Sequence, residues 1–140
     1  MAPLLRAGFP LLPAGVSAGE VEAELRQIIA SKAFAQAERL RRFLEFTVQW
    51  ALARRSEQLK EYVLALEVYD RKDSFDPKED SIVRVEAGRL RSKLREYYDT
   101  EGQQSLLRIE FPKGSYIPVF RTIAAAEPEP SEPEPAADEA

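Results

Sequence analysis

Five basic side chains, Arg84, Arg89, Arg91, Lys93 and Arg95, fall within twelve residues. Cations at that density suit phosphate oxygens, because they neutralise fixed charge and release its condensed counterions. An Arg can also read guanine through two parallel hydrogen bonds. A second concentration is acidic, with Asp70, Asp73, Asp76, Glu79 and Asp80 inside eleven residues. Carboxylates suit a hard cation, but this run lacks the alternating ligand order and central Gly of a calcium loop. Turn and capping chemistry is the better reading, with Asp76-Pro77 as a turn and Asp80 as the N-cap of the next helix. The 140-residue chain holds no His and no Cys, which removes the Ser-His-Asp triad, the Cys nucleophile, thiol redox pairs and ordinary zinc sites. No phosphate-cradling Gly-rich loop accompanies the carboxylates. The expectation is a binding protein, not an enzyme, with no cofactor and no metal.

A helix must position the basic cluster. Over residues 81–98, advancing about 100° per residue puts Val83, Ala87, Leu90, Leu94, Tyr97 and Tyr98 on one face. Val85, Gly88, Ser92 and Glu96 fall opposite, with Arg89 and Lys93 on one flank and Arg84, Arg91 and Arg95 on the other. Ser17 and Glu20 have the spacing of a capping box, and Val21, Leu25, Ile28 and Ile29 then predict a helix over 18–30. After a break at 31–35, Leu40, Phe43, Leu44, Thr47, Val48 and Ala51 mark a second helix, with Phe46 and Trp50 beside its stripe. Residues 59–69 read as a short, mostly buried helix, with Leu59, Tyr62, Val63 and Leu66 on one face. Past a polar stretch in which Gly102 offers a left-handed cap, Leu107, Ile109 and Phe111 alternate with Arg108 and Glu110. That is a strand, and 106–120 form a hairpin with a type I turn at Pro112 to Gly114. Pro118 confines the second strand to an edge.

Helices, a turn, a basic helix and a hairpin follow one another as in a winged helix. The segments RLRRFLEF, LKEYVLALEVYDR, FDPKEDSIVRVEAGRLRSKLREYY and FPKGSYIPVF carry a sharper likeness. The helix and hairpin resemble the recognition helix and wing of OmpR-type response-regulator effector domains. The span from about residue 34 to 120 resembles the N-terminal winged-helix modules of bacterial multidomain regulators. The resemblance implies a mainly α, winged helix-turn-helix fold and a cytoplasmic transcriptional regulator that binds double-stranded DNA. It implies that Val85 meets a thymine methyl, that Arg89 reaches base edges, and that Arg91 and Arg95 hold phosphates. Arg84 and Ser92 complete the helical contact set, and Lys113 at the wing tip reaches a phosphate or the minor groove. The chain departs from the pattern at Gly88, at the acidic Glu86, and at Ile117-Pro118 in the wing.

The formal charge of −4 is unevenly spread. Residues 127–140, EPEPSEPEPAADEA, carry six carboxylates and no base, so the remainder holds 20 basic and 18 acidic side chains. Charge per segment is what bears on partners. The expected organisation is a flexible leader over 1–16, a winged-helix domain over 17–122, and a disordered acidic Pro/Glu tail over 123–140. The leader is apolar, but Pro10 and Pro13 interrupt it and no segment approaches a membrane span; Leu4, Leu5 or Phe9 would pack it on the domain. The tail's carboxylates either compete with phosphate for Arg91 and Arg95 or act as a plain solubilising linker. An alternative function is a protein-interaction or signalling module that keeps the fold without reading DNA. Phe46 and Trp50 would then mark a homodimer or partner-protein face, against the simpler reading that they pack on the first helix.

Overall fold

The computed structural model describes residues 12–123. The expected packing of Leu4, Leu5 or Phe9 and the acidic tail beyond Ile123 lie outside them. Among the described residues, four α-helices and one 3-10 turn precede a two-stranded antiparallel hairpin, so this part of the chain is mainly helical.

Helix α1 (Ala18–Ala30) begins at the expected capping box, the Ser17 hydroxyl accepting from Glu20 N and the Glu20 carboxylate from Ser17 N. Helix α2 (Glu38–Leu52) buries Leu40, Phe43, Leu44, Thr47, Val48 and Ala51. The guanidinium of Arg41 donates to the carbonyls of Phe34 and Ala35 and so fixes the α1–α2 connection. A 3-10 turn at Ser56–Gln58 leads into α3 (Glu61–Glu67). Tyr62 departs from the expected buried face: it is 45% exposed, stacks beside Phe75 and donates its hydroxyl to the Asp73 carbonyl. The seven-residue α3 is too short to bury all its apolar positions, so Tyr62 braces the following acidic turn instead.

The acidic run makes turn contacts as expected, but Asp80 is not the N-cap of the next helix. Ser81 holds that position without a side-chain cap bond. Asp80, one residue earlier and tied to Arg71, reaches only two residues on in an Asx turn. The Asp76 carboxylate accepts from Lys78 N, and Asp80 accepts from Ile82 N at 3.1 Å. Helix α4 (Ile82–Asp99) starts there and buries all six residues of its expected inner face. These join α1, α2 and the hairpin in one apolar cluster, where the Phe43 ring meets Tyr69 and Phe111 edge-on at 5.9 and 5.4 Å.

Strands β1 (Leu107–Glu110) and β2 (Val119–Thr122) pair with Leu107 opposite Thr122 and Glu110 opposite Val119. The second strand therefore starts later than the sequence suggests, and Pro118 sits just outside it, where a missing N–H breaks no pair. Two turn readings are corrected. In the Pro112–Ser115 turn, Gly114 has φ +81° at the third position, the value of a type II turn, not type I. Gly102 is not among the residues with positive φ. Its smallness serves contact, since a Cβ there would collide with the Tyr97 ring.

Candidate nucleic-acid interface

Helix α4 is anchored at its start by Asp80, whose second carboxylate oxygen takes Arg71 Nε at 2.7 Å. The Arg71 guanidinium holds the Asp80 carboxyl below its ordinary range, backed by the Ile82 N–H. The inner face of α4 is bound by the core, so the opposite side must face outward. There Val85 is 45% exposed, Ser92 is exposed, and nothing lies within 4 Å of where a Gly88 Cβ would stand. Val85, Gly88, Arg89, Ser92, Lys93 and Glu96 line a shallow groove of about 450 Å³ whose far wall is Leu40 of α2.

Glu86, an acid next to the basic helix face in sequence, does not join that face. It is buried, turned under α4, where it accepts from Arg89 Nη1 at 2.9 Å and from the Tyr69 hydroxyl at 3.4 Å. Burial, and then the Glu86 charge beside it, push the Tyr69 hydroxyl far up from its ordinary value, so it stays a donor. Arg89 thus offsets the buried carboxylate while its side chain remains 67% exposed. A guanidinium has five N–H donors, and those not given to Glu86 remain for an outside acceptor.

The other flank is divided in its contacts. Arg84 pairs with Glu61 at 2.6 Å and donates to the Pro77 carbonyl at 2.8 Å, tying α4 to α3 and the acidic turn. Arg91 donates to the carbonyls of Phe111, Pro112 and Ser115 at 3.0 to 3.5 Å. One side chain of α4 therefore fastens the hairpin tip. Arg95 and Lys113 are exposed and make no hydrogen bond or ion pair among the described residues. Arg91, Arg95 and Lys113 come together along a second groove, between α4 and β1.

The structure thus brings Val85, Arg89 and Ser92 into one groove and Arg91, Arg95 and Lys113 into another, and leaves Arg84 apart beside Glu61. Arg108 of β1 also lines the second groove, a site residue that sequence reasoning missed. Its place between Leu107 and Ile109, facing away from the core, was the available signal.

At the base of α4, Tyr98 donates to Glu24 of α1 at 2.8 Å and accepts from Ile109 N at 2.8 Å. Burial raises the Glu24 carboxyl above its ordinary value, against the opposing pull of Tyr98, Ser105 and Arg108. The three elements behind the outward face are held by one buried polar chain.

Among the described residues, no group of His, Cys, Asp and Glu is placed to hold a metal ion, and no helix is long and apolar enough to cross a membrane. The class this defines is a small, mainly helical protein that presents one basic helix face beside a terminal hairpin. No family model, curated protein or solved structure matches the chain.

Proposed function

We propose that this chain is a cytoplasmic, DNA-binding transcriptional regulator of the winged helix-turn-helix type, with α4 as recognition helix and the hairpin as wing. The observation that carries it is the outer side of α4. Val85, Gly88 and Ser92 line a shallow, solvent-reached groove beside α2 with cations on both flanks, and Arg91 clamps the hairpin to the same helix. A helix whose central ridge is small lets a base-pair edge approach closely, while flanking cations meet the two phosphate backbones. Val85 supplies an apolar contact for a thymine methyl, Arg89 and Ser92 supply donors for base edges, and Arg95 and Lys113 supply phosphate contacts. Arg84 and Arg91 act first as braces that aim the helix and wing.

Anisotropy titration with mixed genomic DNA fragments across a salt series, followed by selection of the bound sequences, tests this. Two to four phosphate contacts, Arg95 and Lys113 with or without Arg84 and Arg91, give a log K against log salt slope of roughly −1.8 to −3.6. No complex at about 50 mM salt, or one indifferent to salt, overturns the reading.

A second reading, a protein-interaction module, draws on Phe46 and Trp50. They are half-buried and stacked at 4.5 Å, and the Arg55 guanidinium covers the indole at 4.1 Å. If Trp50 fluorescence is already blue-shifted in a verified monomer, that face has no need of a partner.

A further inference from the structure

The groove between the C-terminal half of α4 and β1 has a volume of about 440 Å³. Arg91, Arg95, Arg108 and Lys113 give it four cations, against Asp99 and Glu110. The Glu110 carboxylate is already engaged by Arg121 on the neighbouring strand. Arg91 is spent on carbonyls, which carry no compensating charge. Arg108 lies 5.0 Å over the Tyr98 ring and gives one N–H to the Gln103 carbonyl, and its buried Nε has no acceptor. The groove therefore holds more positive charge than its own carboxylates offset, and Tyr98 and Phe111 form an apolar floor beneath it.

The chain supplies an occupant of opposite charge. Thr122 stands opposite Leu107, and Ile123 N donates to the Leu106 carbonyl at 2.6 Å. The polypeptide thus leaves the hairpin beside the start of β1, at the Asp99 and Arg108 end of the groove. Three alanines, Ala124, Ala125 and Ala126, precede Glu127. From Asp99 back to Arg91 the helix covers about 12 Å. Eight residues, the length of the Pro/Glu run over 127–134, can reach about 22 Å at about 3.1 Å per residue. Glu127, Glu129, Glu132 and Glu134 can thus be distributed over the whole length of the groove.

We propose that the acidic segment 127–140 docks in the groove between α4 and β1 and pairs with Arg95, Arg108 and Lys113. Docking stands without the DNA-binding reading; its consequence, competition with DNA phosphate, rests on that reading. A tether of this length sets an effective concentration in the millimolar range, so contacts too weak to hold a free peptide suffice within the chain.

Amide spectra of the full chain and of a chain ending at Ala126 test the docking directly, at about 20 mM and about 500 mM salt, where screening lengths differ several-fold. At low salt the two should differ at residues 91–99 and 108–113, and at high salt those differences should vanish. A peptide of residues 127–140, added in trans to the shortened chain at low salt and about millimolar concentration, should move its spectrum onto that of the full chain. Arg95→Glu and Lys113→Glu, both at exposed positions, should each erase the low-salt differences. Low-salt spectra that superimpose everywhere except next to the truncation overturn the docking. A DNA titration of the same two chains is the separate arm, with the shortened chain binding about 3- to 10-fold tighter at low salt. Spectral docking without any DNA complex leaves the proposal standing and removes the DNA reading. Salt-dependent DNA binding with superimposable spectra does the reverse.

Discussion

Arg91 and Arg95 lie one helical turn apart on the same flank of α4 and are engaged differently. Arg91 is used within the protein, its fork closed on three hairpin carbonyls, and Arg95 has none among the described residues. Their alanine variants should therefore separate. Arg91→Ala strands those carbonyls and should cost about 1–3 kcal/mol, a fall of several degrees in Tm on thermal unfolding. Arg95→Ala should leave Tm within about 1 °C, since an exposed unpaired cation contributes little. It should reduce DNA affinity for all sequences alike and flatten the salt slope by about 1. Arg89→Ala belongs to a third class. It uncovers the buried Glu86 carboxylate as well as removing a base-reading donor, so it should both destabilise and relax sequence preference by about 1–3 kcal/mol at one base pair. Comparison of Arg89→Ala with Arg89→Lys, which restores a charge over Glu86 but not the planar fork, separates the two effects: stability should recover and preference should not.

At the scale of the elements, the helices were legible because their apolar residues recur at a period that only one backbone satisfies. The inner face of α4 and the capping box before α1 follow from local spacing, whereas the N-cap falls on Ser81, one residue past the expected Asp80, because Arg71 from the preceding loop holds the Asp80 carboxylate. Features that depend on distant partners were not legible. Arg89, three residues on, is within local reach of Glu86, but nothing near Glu86 in sequence says that Tyr69 will meet it beneath the helix, and nothing near Arg91 says that the Phe111 to Ser115 carbonyls will converge on it. Gly102 misleads for the same reason: a Gly after a helix suggests a left-handed cap, while its actual constraint is the face of the Tyr97 ring. Gly88 offers the converse test. It is mid-helix with open space around it, so Gly88→Ala should stabilise α4 by up to about 1 kcal/mol. Gly88→Leu should likewise raise Tm above the parent. Because its branched side chain fills the ridge between Val85 and Ser92, DNA affinity should fall by an order of magnitude or more even as stability rises. A Gly88→Leu protein that binds as tightly as the parent would take α4 out of the major groove.

The whole molecule turns on how its first helix is joined to its last elements. Tyr98 makes that join, its hydroxyl donating a hydrogen bond to Glu24 and accepting one from Ile109 N, so one buried hydroxyl links α1, α4 and β1. A carboxyl raised by burial binds its proton more tightly in the folded state than in the unfolded chain. Its contribution is therefore fully present below the unfolded value of 4.5 and is lost as pH rises through the raised folded value. Asp80 works in the opposite sense, its lowered carboxyl adding stability that is lost only as pH falls through the depressed value, below 3.8. Between those two limits Glu24 is the group that turns the pH dependence downward. Glu24→Gln keeps an acceptor for the Tyr98 hydroxyl and removes the titration. Relative to the parent its Tm should rise steadily as pH is taken from 4.5 upward through the Glu24 transition, and the difference should level off above it. Tyr98→Phe removes the donor to Glu24 and the acceptor for Ile109 N together, and should cost about 1–3 kcal/mol at any pH in that window. If Glu24→Gln and the parent keep a constant Tm difference across that window, Glu24 is not titrating against the fold, and the joint between α1 and the hairpin is held by packing alone.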